Sequence, residues 1–230
     1  MISIVIPVLN EAETIEKLLF HLVDNTDLNS ISEIIVVDGG STDGTQKLVK
    51  DLDLSIQVLH SEKGRAKQMN LGAKAASGGI LYFLHADSFP PNRYDKYIIE
   101  EIKKGNNAGC FRLQFDHNHW WLRLASWLTQ FRWRACRGGD QSQFITKELF
   151  NEIGGFDESY IIYEDNILIN ELYARNEFVV INKKIKTSAR LYERHGIWKL
   201  QYHFWAIYVK KWFGASADDL FAYYKKHISC

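Results

Sequence analysis

Short β-branched runs alternate with amphipathic stretches through the first third of the chain, and that alternation limits what it can fold into. Residues 3–7, 33–38, 56–59 and 80–85 read as strands. Between them, residues 12–23 carry Ile15, Leu18, Leu19 and Leu22 at helical spacing, the turn 39–45 leads into a helix through Leu52, and residues 63–76 form a loop and helix. The strands are apolar from end to end and lack the alternation of a one-sided sheet. Both of their faces must be covered, which predicts an α/β domain built on a parallel sheet with helices on either side.

The second half is less regular. Strands are expected at 108–115, 143–146 and 178–181. Helices are expected at 120–131, 147–153, 164–175, from Gly196 to Phe213, and near 218–226. No repeat or low-complexity linker interrupts the 230 residues, so one integrated unit is expected: a domain over 1–190 with a helical extension, 191–230, packed on it.

Composition narrows the partners. The 28 basic residues balance the 28 acidic ones, which removes the long-range attraction a nucleic-acid binder needs. Cys110, Cys136 and Cys230 are far apart and odd in number, which suits a reducing compartment better than a disulfide framework. The first residues read as a strand and not as a signal peptide, and no run reaches the ~18 apolar residues of a membrane span. The expectation is a cytoplasmic protein. Residues 198–213 mix aromatics with lysines; packing on the domain is their default, with a peripheral membrane contact or a homodimer contact as alternatives.

Open parallel sheets bind ligands beyond the carboxyl ends of their strands, where strand order reverses. Three such positions are rich in polar residues: Asn10 and Glu11 after the first strand, 38–45 after the second, and His85 to Ser88 after the fourth. Ordinary turn chemistry explains any one of them; three on one rim suggest a site. The 39–45 turn is neither a dinucleotide-binding fingerprint nor a P-loop. Asp38 beside Gly39 suits an acceptor for a base N–H or a ribose hydroxyl, and Asp43 suits a helix cap. Asp87 beside a diphosphate makes sense with a hard cation, Mg²⁺ or Mn²⁺, between them, and His85 is a candidate second ligand.

These stretches carry a resemblance. Ile4-Val5-Ile6-Pro7-Val8-Leu9-Asn10-Glu11, then Ile35 to Thr45, and Glu164-Asp165 resemble the signature segments of family 2 glycosyltransferases, which have the GT-A fold, a Rossmann-like mixed sheet. The resemblance implies that Pro7, Leu9 and Glu11 line the nucleotide pocket, that Asp38 contacts the base, and that Asp87 is the last acid of a DxD metal motif. His85 stands where the first acid of that motif is expected. Leu84 to Asp87, Gly138 to Gln141, Gly154 to Asp157 and Thr187 to Arg194 resemble a bacterial subgroup named for radical-SAM/selenodomain association or arsenosugar biosynthesis.

By that resemblance the reaction is transfer of a sugar from a nucleotide-diphospho-sugar to an acceptor hydroxyl, with Asp165 as base and Glu164 beside it. A single base without a separate nucleophile implies inversion at the anomeric carbon. Arg65, at a helix start, is placed on the nucleotide, and Arg190 and Arg194 are placed over the leaving group. Gly139 and Asp140 are expected near the sugar or acceptor. Trp120, Trp121, Trp127 and Trp133 can stack on sugars, although helical aromatics more often fill a core. The competing readings are a non-catalytic nucleotide-sugar-binding scaffold and a sugar-nucleotide pyrophosphorylase.

Overall fold

In a computed structural model describing residues 1–228, Gly139 aside, β1 (Ile2–Val8) lies between β2 (Ile31–Asp38) and β4 (Ile80–Phe83), parallel to both. β3 (Ile56–His60) continues the sheet beyond β2, also parallel. The chain thus steps outward from β1 and then returns to its other side, which puts the order reversal at β1 and β4. Beyond β4 the sheet becomes mixed. β7 (Gln143–Thr146) runs antiparallel to β4, β6 (Ala108–Phe115) antiparallel to β7, and β8 (Val179–Thr187) parallel to β6, with the short β5 (Ser88–Phe89) at the edge.

Alternate side chains of β1 serve opposite layers. Ile2, Ile4, Ile6 and Val8 pack with α1 (Ile15–Asp24) and α4 (Tyr94–Lys103), while Val5 faces α3 (Arg65–Ala75) and α7 (Glu164–Ala174). The second layer sits close because Gly72 of α3 has no side chain: a Cβ there would lie 2.3 Å from Val5 Cγ1.

The expected strand 80–85 stops at Phe83, so His85 sits in a loop and not at a strand end. β8 outruns its prediction to reach Thr187, with Lys183, Lys184 and Lys186 turned to solvent; pairing with β6 on one side and β5 on the other holds that half as strand. Neither β5 nor α4 was predicted. The remaining helices are α2 (Thr45–Asp51), α5 (Trp120–Leu128), α6 (Lys147–Ile153), α8 (Arg190–His195), α9 (Ile197–Trp212) and α10 (Ala217–His227). Leu200, Ile207, Leu220 and Ile228 bury against Ile162, fastening the C-terminal helices to the segment before α7.

The aromatics of α5 and its exit depart from a core reading. Trp120, Trp127 and Trp133 are 59%, 51% and 58% exposed. On a helix that buries Leu122, positions 120 and 127 fall on the far side. Cys110 and Cys136 are free, and Cys230 lies outside the described residues.

The loops after β1 and β2 are fastened together. Asn10, at φ +57°, donates its N–H to Ser41 Oγ at 2.8 Å and accepts the Thr42 N–H at 2.8 Å. Glu11 N–H donates to Thr45 Oγ1 at 2.9 Å. Asp43 accepts N–H bonds from Ala12 and from Thr45, each at 3.0 Å, so it caps the start of α2 and ties it to the first loop. Asp38, 1% exposed, accepts from Gly40 N–H at 2.9 Å, Ser41 N–H at 3.0 Å and Gln46 Nε2 at 2.6 Å. Burial works to raise its pKa, but the bonds from Ser41, Gly40 and Gln46 outweigh that and hold the carboxyl below its ordinary value.

A depressed carboxyl stabilises the fold above its unfolded-state pKa, and that contribution is lost as pH falls through the folded-state value. Asp38→Asn should therefore cost about 2 kcal/mol at neutral pH, with the gap to wild type closing below about pH 4; urea melts across pH measure it. Gly72→Ala should cost about 1–2 kcal/mol in the same melts, crowding at Val5 outweighing the gain in helix propensity.

Candidate active site

The ends of β1, β2 and β4 share one edge of the sheet, which brings the three polar clusters together. Pro7 and Gly39 are buried in the floor, and Leu9 is half-buried beside them. Gly39 N–H donates to Val8 O at 2.9 Å. Beneath them lies Gln68 of α3, a residue the sequence analysis did not single out. Its Nε2 donates to Val8 O at 2.8 Å and Val37 O at 2.7 Å, so one buried amide bridges the ends of two strands. A Cβ on Gly39 would stand 3.0 Å from that amide, which is why a glycine fits there.

On one side of the cleft, Arg190 grips Glu11 with both terminal nitrogens, at 2.9 and 2.6 Å, and comes within 3.4 Å of Asp87 Oδ2. Arg190 lies at the first turn of α8, which the sheet edge at Thr187 delivers to this spot. Burial pushes the Asp87 carboxyl above its ordinary pKa; His85 and Arg190 oppose that shift while Asp140 and Glu11 add to it. Arg194 is exposed on the same short helix and makes none of these contacts.

Across the cleft, His85 stands between two acids. Its Nδ1 is 3.6 Å from Asp140 Oδ1 and its Nε2 is 4.0 Å from Asp165 Oδ2. Burial alone would lower the imidazole pKa, but the facing Asp140 carboxylate more than compensates and raises it. Both ring nitrogens therefore face carboxylates. Glu164 is fully buried at the first turn of α7, following Tyr163 at φ +74°. Arg65 Nε lies 2.8 Å from Glu164 Oε1, an ion pair without the alignment of a directed hydrogen bond, and among the described residues neither Glu164 oxygen has a hydrogen-bond partner. Burial drives the Glu164 carboxyl well above the usual carboxylate range despite Arg65, and Asp165 adds to the shift. Arg65 accordingly sits with the acids of α7.

Two further anchors went unnoticed in the sequence. Arg137, 2% exposed, donates to Gln141 Oε1 at 2.7 Å, Thr129 O at 2.6 Å and Phe131 O at 2.7 Å, fixing the loop that holds Asp140. Asn70 exchanges bonds with the Phe156 backbone, 2.9 Å each way, and orients the turn through Gly155 (φ +79°) that leads toward α7. A polar residue inside an otherwise apolar helical face was the available signal for Gln68; Arg137 offered none, since its partners are the Gln141 side chain and loop backbone carbonyls, which follow no sequence spacing. Gly139 lies outside the residues whose placement is described.

Among the described residues, no cluster of three or more His, Cys, Asp or Glu side chains is arranged to hold a metal ion unaided. The donor set that remains is nonetheless compatible with a hard cation. Asp87 is 20% exposed and crowded by the carboxylates of Asp140 and Glu11, a surplus of negative charge that a divalent ion would relieve. One carboxylate suffices where phosphate oxygens and water complete the shell.

The sequence profile described as Glycosyl transferase family 2 matches residues 3–157. Glycosyltransferase AglE of Haloferax volcanii is 36% identical over 98 residues, 40% of this chain and 32% of that protein. Dolichol-phosphate mannosyltransferase of Pyrococcus furiosus is 34% identical over 110 residues, 46% of this chain and 31% of its own length. The chain thus spans about a third of the length of these curated relatives. Among solved structures, S. aureus TarS in complex with UDP superposes with a TM-score of 0.69 at 18% identity, covering 82% of this chain and 60% of that one. Mannosyltransferase PcManGT of Pyrobaculum calidifontis, in complex with GDP-Man and Mn²⁺, gives 0.67 at 21% identity, covering 90% and 59%. Those likenesses show the GT-A fold, and with the profile match over most of the sheet and its strand-end loops, the chain belongs to glycosyltransferase family 2.

Proposed function

We propose that this protein transfers a sugar from a nucleotide-diphospho-sugar to an acceptor hydroxyl with inversion, assisted by a divalent cation. The observation that carries the reading is the opposition, across one cleft, of a donor side (Glu11, Asp87, Arg190) and an acid pair at a helix start (Glu164, Asp165), with His85 between. TarS has been solved with UDP and with UDP-GlcNAc, and PcManGT with GDP-Man and Mn²⁺, which supports the donor class and the cation. The likeness to the radical-SAM/selenodomain or arsenosugar subgroup belongs to this proposal and leaves the acceptor open.

The nucleotide would rest on the floor formed by Pro7, Leu9 and Gly39. The Asp38 carboxylate already accepts from its own turn and from Gln46, so contact with a base N–H would require the Gln46 amide to move aside. Asp87 would hold the Mg²⁺ or Mn²⁺, which supplies positive charge to the diphosphate. Arg190, and Arg65 at the start of α3, add guanidinium charge on either side.

Asp165, at the positive end of α7, accepts the proton of the acceptor hydroxyl. The oxygen forms its bond to the anomeric carbon as the bond to the diphosphate breaks, and the leaving group departs with the electron pair. His85 Nε2, 4.0 Å away, faces that carboxylate. Asp140 faces the same space and is available to sugar hydroxyls. Glu164, buried behind Asp165, holds Arg65 in place.

A thermal-shift screen of UDP- and GDP-sugars should show stabilisation by at least one donor, larger with Mn²⁺, and the Mn²⁺-dependent part should disappear in Asp87→Asn. No shift with any nucleotide-sugar would overturn the reading. Asp165→Asn should slow transfer by about 10²–10⁴-fold with calorimetric donor affinity unchanged, which a non-catalytic scaffold would not show. The product anomer read by NMR should be opposite to that of the donor.

A further inference from the structure

Helices α5 and α9 present a surface that the cleft does not use. Along α9, Trp198, Tyr202, Trp205, Val209 and Trp212 recur at helical spacing, and all are exposed, from 48% at Trp205 to 85% at Trp212. The opposite side of α9, with Leu200 and Ile207, is the one packed against α10 and Ile162. A surface helix that has buried one apolar stripe ordinarily turns a polar face to water. α9 instead turns a second apolar stripe outward.

The surface continues onto α5, where Trp120, Leu124 and Trp127 are 59%, 38% and 51% exposed. The ring centres of Trp120 and Trp198 are 5.6 Å apart, so the two stripes meet. Trp121 locks them together: its Nε1 donates to Gln201 at 2.9 Å and its ring lies edge-on to Trp205 at 5.7 Å. The exposed rings therefore sit on a braced scaffold.

Charge identifies the occupant. Neither helix contains an Asp or Glu, whereas together they carry Arg123, Lys199, Lys210 and Lys211. In a chain of formal net charge +0 this is a local segregation of cations. Lys210 lies over the Tyr223 ring of α10 and Lys211 donates to Tyr160, so both belong to the packed side of α9. Lys199 of α9 and Arg123 of α5 are exposed beside the stripe. Protein interfaces deplete lysine. Exposed Trp and Tyr beside Lys199 and Arg123, on two helices without an acid, is instead the composition of a surface lying in the plane of a lipid headgroup layer.

We infer that the α5–α9 surface docks on an anionic lipid bilayer, with Trp198, Tyr202, Trp205 and Trp212 in the headgroup region and Lys199 and Arg123 on lipid phosphates. No helix among the described residues is long and apolar enough to cross a membrane, so the contact is peripheral. On the protein side, Tyr208 of α9 donates to Asn166 Oδ1 at 3.3 Å, next to Asp165. The inference stands independently of the transfer reaction.

The test is co-sedimentation of the whole chain with phosphatidylcholine vesicles, with and without phosphatidylglycerol. Binding is expected to the anionic vesicles alone, with a blue shift in tryptophan emission and release at high salt. Lys199→Gln and Arg123→Gln should each lower the partition coefficient about fivefold. Trp212→Ser should lower it as well, while leaving the melting temperature and donor-induced thermal shift unchanged, since that side chain touches water. Absence of binding to anionic vesicles would sink the inference, as would binding indifferent to these substitutions. A dimer in sedimentation velocity that Trp212→Ser dissociates would reassign the surface to a second copy of this chain.

Discussion

Strand ends in a parallel sheet leave carbonyl groups without ladder partners, and a ligand site built there inherits that problem. Here Gln68 answers it. Its buried amide takes the carbonyls of Val8 and Val37 at once, setting the distance between the β1 and β2 ends and, through Gly39, the shape of the loop above. Asn10, Asp43 and Thr45 then bind the two loops to each other. On this side Asn10, Asp38, Asp43 and Gln68 all have hydrogen-bond partners within the protein, which fixes the two loops relative to the strand ends.

The other side is governed by charge. Glu164 is buried without an aligned hydrogen-bond donor, and its cost is borne by the nearby Arg65 guanidinium and the helix start beneath it. Arg190 performs a similar service for Glu11 and Asp87, two acids from different loops. Carboxylates outnumber their cations in this space, an arrangement suited to a cation arriving with a diphosphate. His85 stands between the two sides and faces both Asp140 and Asp165.

Much of this was legible beforehand. The strands of the first half, their burial on both faces and the three strand-end clusters follow from β-branched runs and turn residues. Asp38 reads as a nucleotide contact because a strand-end acid suits a base N–H or ribose hydroxyl and because of the family resemblance, yet the pattern could not reveal that Ser41, Gly40 and Gln46 already bond to it. His85 read as the end of a strand because Leu84 is apolar, although the ladder with β7 stops at Phe83. The lysines at 183, 184 and 186 mask the far half of β8, which pairing with β6 and β5 holds as strand. The tryptophans of α5 looked like core, since composition alone does not tell which side of a helix has a neighbour.

The sequence by itself determined the layered α/β plan, the rim where the site lies and the residues that crowd it. Those are properties of periodicity and local turn chemistry, which act over a few residues. Only the tertiary structure decided which acid faces which cation: Arg190 with Glu11, Arg65 with Glu164, and His85 between Asp140 and Asp165. Such pairings join positions far apart in the chain, and distance in space, not spacing in sequence, sets their electrostatics. The same holds for α9. Its two apolar stripes were written in the sequence, but only the packing of Leu200 and Ile207 showed which stripe is buried and which is left facing outward.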